Sequence, residues 1–450
     1  MVQAAVSIIM PSLNVVKYIS ECIESVLNQS MQDIEVLCID AGSTDGTLEI
    51  LQEYARKDNR IRIINSPIKS YGYQLNLGIE QSRGEYIGIV ESDDLIDLNM
   101  FEELYAKAKE YNLDFIKGAY VQFATFASEC IEIRSINPNV YGNLNSVIDL
   151  TVDWKKGLLD PVHIWSGLYR KDFLLKKNIR LNETLGASYQ DTSFSLLVGL
   201  LADSCMYVDE YYYHYRIDNE NSSVKSDKKY DCVIDEYVYL EKVLREQNAY
   251  SQDVQIEVLK YKLQTYNWNY LRLSDKSREL FLQLIQEEMK EYTTNKALNM
   301  NLNEEEKAIV QLLTDEEARA ENSVKEKRRM EKFRQLIQFV LKSKNYIVVG
   351  AGNCCSPLLF LQGAMGRKFI DAICDNGSER WGMKKGQYII TDVKTTVDNN
   401  PDALYIIANK NYSRDISTQL QKLGINKANM FVLDLVASPM ELVDLYKDLE

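Results

Sequence analysis

Over the first hundred residues, short apolar runs rich in β-branched side chains alternate with segments whose apolar positions recur every three to four residues. The runs 6–10, 35–40, 61–65 and 86–90 predict strands, and 19–28, 47–57 and 73–81 predict helices between or after them. Strands that alternate with helices pair in parallel and build a doubly wound sheet, whose ligands gather at the carboxyl ends of the strands. Three polar loops fall at such ends: 11–14, 40–45 and 91–94. From about 227 to 342 the pattern changes to long amphipathic helices rich in Tyr, Glu and Lys, which predicts a helical connecting domain. After 345 the alternation restarts, with strands expected over 346–349, 372–374 and 404–408 and a helix including 357–362. The expected division is 1–226, 227–342 and 343–450.

Composition narrows the class. A chain of 450 residues with 46% hydrophobic and 26% charged positions suits a globular protein of two or three domains. The net charge of -14 argues against general nucleic-acid binding, so a phosphate-bearing ligand must be met by local donors or a metal. Eight cysteines are scattered without a CxxC pair, which suits a reducing, cytoplasmic setting. The apolar run at 6–10, ended by Pro11, reads as a first buried strand and not as a signal peptide. No apolar stretch reaches the roughly 18 residues a bilayer requires. Lys325 to Arg329, followed by Phe333, Leu336, Ile337, Phe339 and Val340, form a basic amphipathic helix. Such a helix either packs its stripe on a neighbouring domain or rests peripherally on an anionic membrane surface.

The segment Gly84 to Asp94 carries the strongest chemical signal: an apolar strand runs into Glu91, Asp93 and Asp94 within four residues. Crowded carboxylates repel one another by about 1 kcal/mol or more per pair, and a divalent cation is the usual relief. Hard oxygen ligands without Cys or His nearby point to Mg or Mn. An acidic turn capping a helix is the plainer reading. Upstream, residues 36–47 deliver Asp40 from a strand tip into a turn that Gly42 permits, with Thr44 or Asp45 placed to cap the next helix. Asp40 there can accept a hydrogen bond from an imide N–H such as a uracil ring presents. Near the C-terminus, Gly350-Ala351-Gly352-Asn353 with Asp375 is similar to a dinucleotide fingerprint, although Cys355 stands where its third glycine belongs. Nucleotide binding and a structural or oligomer-forming role both stay open for that region.

Taken together, Val6 to Asn14, Ile39 to Thr47, Asn76 to Asp94 and Glu183 to Phe194 resemble the family 2 inverting glycosyltransferases of the GT-A fold, in the family's order and over roughly the first 225 residues. The resemblance implies an α/β GT-A domain with a mixed, mostly parallel sheet, then the helical segment and a smaller Rossmann-like domain. It implies transfer of a sugar from a nucleotide-sugar donor, UDP-linked by the Asp40 match, to a saccharide or polyprenol-linked acceptor in surface-polysaccharide assembly. Pro11, Ser12 and Asn14 match the loop lining the nucleotide pocket, and Asp40 the acid holding the base. Ser43 and Asn76 join them as donor-binding candidates. Glu91-Ser92-Asp93 matches the DxD motif: Asp93 as the Mn or Mg ligand, Glu91 near ribose and metal, Ser92 on the donor side, Asp94 a turn-stabilising acid. Glu91 replaces the commoner Asp, which moves its carboxylate by roughly 1.5 Å.

Asp191 matches the family's general base, with Gln190 where Glu is more frequent and acceptor binding as its expected role. A neutral neighbour cannot raise the base by like charge, so desolvation must tune it. One carboxylate suffices for single displacement with inversion. His214, in Tyr211 to Arg216 after an expected strand at 206–208, is a third candidate metal ligand, and Arg216 a candidate for phosphate. Trp165 is a candidate platform for the acceptor sugar, against core packing. A sugar nucleotidyltransferase should open with a glycine- and basic-rich phosphate loop, which Val6 to Asn14 lacks. An inactive sugar-nucleotide or partner-binding module is the alternative from another class.

Overall fold

The structure is a computed structural model that describes residues 4–126, 129–135, 138–160, 163–222, 226–294, 300–343 and 345–449. Its contacts divide the chain into two compact units, 1–121 with 134–319, and 122–133 with 320–450.

In the first unit, the β-branched runs become β1 (Val6–Ser12), β2 (Ile34–Asp40), β3 (Ile61–Asn65) and β4 (Tyr86–Ile89). β1 pairs in parallel with both β2 and β4, and β2 with β3. Every residue of β1, β2 and β4 is buried, as both faces of a doubly wound sheet must be. Beyond β4 the sheet turns antiparallel. It continues through β5 (Leu95–Ile96), β6 (Phe115–Phe126), β8 (Ile148–Asp149), β9 (Gly167–Arg170) and β10 (Ser204–Arg216), while residues 122–126 of β6 and most of β7 (Glu129–Ser135) are counted with the second unit. The order is β3-β2-β1-β4-β9-β6-β10-β5, with β7 on β6 and β8 on β10. The strand expected at 206–208 is thus the middle of a thirteen-residue strand that includes Tyr211 to Arg216. Alternate aromatic side chains let that run stand on two faces of a sheet.

The helix Tyr71–Gln81 starts where the Ser70 side chain accepts the Tyr73 N–H at 3.1 Å. Its first turn approaches segment 181–186 so closely that a Cβ on Gly72 would lie 1.9 Å from the Asn182 carbonyl oxygen. Backbone bonds Tyr71 N–H to Gly186 O (2.9 Å) and Gly186 N–H to Lys69 O (2.7 Å) fasten the two. The segment leads into the helix Gln190–Leu201, whose face packs on the helix Cys232–Glu246. Helices Gln252–Arg272, Asp275–Thr294 and Glu304–Thr314 follow. Their buried residues, such as Leu240, Leu263, Phe281 and Leu313, belong to the same continuous core as Ile8, Val36 and Ile87. At about 1.5–3 kcal/mol per buried aliphatic side chain, that shared core binds the expected connecting helices to the strand-tip region.

In the second unit, β11 (Tyr346–Val349), β12 (Ile370–Asp375), β15 (Thr391–Asp392), β16 (Leu404–Ala408) and β17 (Met430–Leu433) form a parallel sheet in the order β15-β12-β11-β16-β17. A hairpin of β13 (Lys384–Lys385) and β14 (Tyr388–Ile389) accompanies it. This is a Rossmann-like order with its reversal between β11 and β16. Gly350, at φ +108°, turns the chain where a Cβ would meet the Ala408 carbonyl oxygen at 2.5 Å. Asp375 accepts the Ala351 N–H (2.8 Å), the Gly377 N–H (2.8 Å) and the Arg380 guanidinium (3.1 Å), so this acid closes the glycine turn. The apolar stripe Phe333, Leu336, Ile337 and Val340 of the helix Glu316–Leu341 is fully buried, while Arg329 pairs with Glu326 and Glu441 and Lys332 with Asp434. Four of the five stripe residues of the sequence reading are therefore covered by protein, and the fifth, Phe339, is half-buried against Tyr346 and Phe431. Among the described residues no helix is long and apolar enough to cross a membrane.

Glu236 fixes segment 182–193 to the helical region by accepting from Asn182 (3.0 Å) and Ser193. Burial first, then its neighbours Asp191 and Asp235, push its carboxyl up to about 8, against the pull of the Ser193 and Asn182 donors. A folded pKa above the unfolded one means the native state holds the proton more tightly. The stability from the protonated acid is full below the unfolded pKa and is lost as pH rises through about 8. Glu236→Gln should therefore flatten the decline of Tm between pH 5 and pH 8.5 in a thermal melt. An offset from wild type that is equal at both pH values would remove Glu236 from the titration.

Candidate functional site

The tips of β1 and β2 are knit into one loop system. Asp40, 1% exposed, accepts the Gly42 and Ser43 N–H groups (both 2.9 Å), the Ser43 hydroxyl (2.5 Å) and, more weakly, the Ser12 hydroxyl (3.4 Å). Gly42 takes φ +82° to make that turn. Asn14, itself at φ +55°, accepts the Thr44 N–H (2.9 Å) while its own N–H donates to Ser43 Oγ (3.0 Å). Asp45 accepts the Val16 and Thr47 N–H groups (3.0 Å each). Gln74 had drawn no attention in the sequence. Its amide donates to Ser12 O (3.1 Å) and Ile39 O (2.6 Å), locking both strand ends. Pro11 carries the link onward, because its carbonyl accepts the Ser92 hydroxyl.

The acidic turn is held from beneath and from β10. Cys22 Sγ donates to Glu91 O (3.3 Å), and the Glu91 N–H donates to Tyr213 Oη (3.0 Å). Asp94, 1% exposed, accepts the Tyr213 hydroxyl (2.8 Å) and the Arg216 N–H (2.7 Å), which makes it the acid that pins the end of β10 to the turn. Asp93 accepts Asn219 Nδ2 at 2.6 Å, and Arg216 Nε donates to the Asp93 carbonyl at 2.8 Å. The Arg216 guanidinium also pairs with Glu21 and lies over the Tyr18 ring at 4.8 Å.

Tyr71 bridges this turn to the expected base. Its hydroxyl donates to Glu91, and its own ionisation is disfavoured first by burial, then by Glu91 and, further down, by Asp191. Tyr215 is a second witness: after burial, its phenol is pushed up by Asp94, Asp93, Glu91 and Asp191 in that order. Four carboxylates therefore lie within electrostatic reach of one ring. Burial pushes Glu91 up to about 8, opposed by the Tyr71 donor and reinforced by Asp93 and Asp191. Asp93 and Asp94 are raised chiefly by burial as well. Burial likewise raises Asp191, whose charge is favoured by the Thr192 N–H (2.9 Å), His163 and Lys117. Asp191 occupies the first turn of its helix, where the helix dipole also favours an anion.

Lys117, 4% exposed, donates to the Asp160 carbonyl at 2.5 Å and lies 3.7 Å from its carboxylate, which His163 contacts at 3.1 Å. No local signal in the sequence assigns a role to Lys117, Asp160, Tyr71, Tyr215 or Asn219, and His163, one of two histidines, stands there without a partner motif.

Several candidates have their polar groups engaged within the protein. The Asn76 amide donates to Leu181 O and Glu183 (2.9 Å each) and accepts the Leu181 N–H (2.9 Å), bracing the segment that leads to Asp191. The Gln190 amide, 1% exposed, bonds to Thr184 (2.9 Å) and accepts the Ser188 N–H (2.5 Å) within that segment. Trp165, 8% exposed, has its faces against Tyr213 (4.2 Å, 25°) and Tyr215 (5.3 Å, 8°). His214 Nε2 contacts Asp97 at 2.9 Å, and its strand neighbours Tyr213 and Tyr215 are the residues that meet the acids.

A divalent cation fits this donor set. Glu91 and Asp93 are hard oxygen donors whose burial already disfavours their charge, a cost that a dication reverses. Among the described residues no three His, Cys, Asp or Glu side chains form a metal cage. Mg-type ions are commonly held by one or two carboxylates, with substrate phosphates and water completing the shell. Asp93→Ala should therefore weaken Mn binding in the presence of UDP by at least about tenfold in calorimetric titration, since even outer-shell changes cost that much. An unchanged titration would leave Asp93 a structural acid.

Residues 7–148 match the Glycosyl transferase family 2. The uncharacterized glycosyltransferase EpsJ of Bacillus subtilis (strain 168) is 30% identical over 239 residues, 52% of this chain and 66% of EpsJ. Glycosyltransferase GlyG of Streptococcus pneumoniae serotype 4 is 40% identical over 119 residues, 26% of this chain and 40% of GlyG. The chain thus spans less than two thirds of the length of either relative. Among solved structures, S. aureus TarS has a similar fold, with a TM-score of 0.50 at 18% identity over 70% of this chain and 53% of that one.

Proposed function

Residues 7–148 are a glycosyl transferase family 2 domain, and from that premise we propose that the chain is an inverting glycosyltransferase. It moves a sugar from a nucleotide-sugar donor, UDP-linked, to a hydroxyl of a saccharide or lipid-linked acceptor in surface-polysaccharide biosynthesis. The observation that carries the reading is the acidic turn after β4, bonded to the tip of β1 through Ser92 and Pro11 and to Tyr71 through Glu91, with Asp191 among the charges acting on both Tyr71 and Glu91.

The nucleotide lies along Pro11, Ser12, Asn14 and Ser43. The base N–H takes the place of the long Ser12 contact on Asp40, which at 3.4 Å is the weakest of that carboxylate's four. When bound, a Mn or Mg ion at Asp93 and Glu91 supplies charge neutralisation for the departing diphosphate. Arg216 and Asn219 hold the acidic turn at fixed geometry through the Asp93 carbonyl and carboxylate. The acceptor oxygen attacks the anomeric carbon as the bond from that carbon to the diphosphate oxygen breaks. The hydroxyl proton passes to the Asp191 carboxylate. Asp191 can serve because its surroundings oppose one another: burial makes the carboxylate more basic, while the Thr192 N–H, His163 and Lys117 keep the ionised form accessible. With Glu91 and Asp93 given to the cation and Asp94 to the turn, a single base acting on the acceptor in a direct displacement gives inversion.

Asp191→Asn should lower transfer by about 10²- to 10⁴-fold, the usual worth of a general base. UDP affinity in the presence of Mn should stay within a few-fold, because the base acts on the acceptor. A variant retaining most of its turnover would take Asp191 out of the mechanism. UDP binding by the wild type with no transfer to any acceptor would favour the inactive binding module instead.

A further inference from the structure

The base-bearing segment is clamped by the helix Gln252–Arg272, and the clamp ends in an exposed indole. Tyr189, two residues before Asp191, stands at φ +66°, a conformation aromatic residues rarely adopt. Its hydroxyl donates to Asn269 Oδ1 at 2.7 Å and accepts from Arg272 Nε at 3.0 Å. Asn269 is fully buried and donates onward to Tyr230 O at 2.8 Å, and Arg272 donates to Ser226 O at 2.8 Å. Lys229 reaches the same segment by donating to Ala187 O. The Arg272 guanidinium lies 5.5 Å from the Tyr189 ring and 5.4 Å from the Trp268 ring. Trp268 meets Tyr189 edge-on, with centroids 5.9 Å apart at 83°, and remains 46% exposed.

An indole this exposed is held in one orientation by a cation and a perpendicular ring, one side chain away from the segment that carries the base. We propose that Trp268 is the platform on which the acceptor saccharide stacks, with Arg272 and Tyr189 fixing the ring relative to Asp191. The proposal rests on the glycosyltransferase reading. Trp268 adjoins Tyr189, two residues before Asp191, so an acceptor seated on it lies next to the segment that carries Asp191, and the C–H face of a pyranose packs well on an aromatic face. The alternative platform, Trp165, is covered on its faces by Tyr213 and Tyr215. On Trp268 the Arg272 guanidinium (5.4 Å) and the perpendicular Tyr189 ring (5.9 Å) still leave the indole 46% exposed.

The test uses the full chain with UDP-sugars, Mn and a panel of p-nitrophenyl β-glycosides of glucose, galactose and N-acetylglucosamine as acceptors. Saturation-transfer NMR and indole fluorescence report contact of the glycosides with the protein apart from turnover. Trp268→Ala should raise the acceptor KM by about tenfold, keep kcat at saturating acceptor within about twofold, and leave UDP affinity unchanged. Trp268→Phe should recover most of the loss. The platform is overturned by an unchanged acceptor KM, by a fall in kcat without a rise in KM, by a change of oligomeric state in place of acceptor binding, or by a wild type whose indole fluorescence ignores every glycoside. A wild type that binds no UDP would instead sink the glycosyltransferase reading itself, while binding with normal KM in Trp268→Ala sinks the platform alone.

Discussion

Four carboxylates sharing one largely buried neighbourhood are the constraint around which the first unit is arranged. Glu91, Asp93, Asp94 and Asp191 each lose hydration, and burial raises all four. Charged groups are tolerated in such a place only when hydrogen bonded or paired. Here the donors are the hydroxyls of Tyr71 and Tyr213, the Asn219 amide, and the backbone N–H groups of Arg216 and Thr192. The nearby Arg216 guanidinium reaches the Asp93 carbonyl, Glu21 and Asp218, and its charge favours the ionised form of Asp93. A site balanced in this way suits a ligand that brings two positive charges together with its own phosphates.

Strand ends give that arrangement its rigidity. β1 carries β2 on one side and β4 on the other, so Asp40 and the acidic turn follow strands that share a neighbour. Ser92 donating to the Pro11 carbonyl and Gln74 bridging Ser12 and Ile39 turn three loops into one hydrogen-bonded rim. Such pre-set geometry is what electrostatic catalysis requires, because dipoles already in place need no reorganisation when charge moves.

The strands and the acids at their tips were legible because their signals are local: β-branched runs, a Gly after Asp40, three acids in four residues. The roles of amides and aromatic rings were not. Asn76 looks like a donor contact in its motif, but its partner Leu181 lies about a hundred residues away and uses both ends of the amide. Gln190 looks like a substituted acid, yet its side chain folds back on Thr184 and Ser188. His214 alternates with Tyr213 and Tyr215 along one strand, so a side chain chosen for its metal chemistry meets Asp97 while its neighbours meet the acids. Strand length decided that outcome: with β10 running to Arg216, alternation assigns the faces. In the C-terminal unit the glycine turn was readable, while the engagement of Asp375 by Ala351, Gly377 and Arg380 depends on how the turn closes.

The helical region acts on the same chemistry through backbone conformation. A Tyr in the left-handed region costs on the order of 1–3 kcal/mol and persists only where surrounding contacts over-determine it. Asn269 and Arg272 supply those contacts for Tyr189, and Glu236 ties Asn182 and Ser193 on either side of the same segment. Relaxing Tyr189 would rotate the start of the helix Gln190–Leu201 and with it the direction of Asp191, even though none of the helical residues is an acid or a metal donor at the centre. Asp191 is thus oriented from helices 232–246 and 252–272, whereas Asp40, Glu91, Asp93 and Asp94 follow strand ends. Under the proposed reading, sequence change in those helices would alter how an acceptor meets Asp191 and leave the rim of β1, β2 and β4 intact.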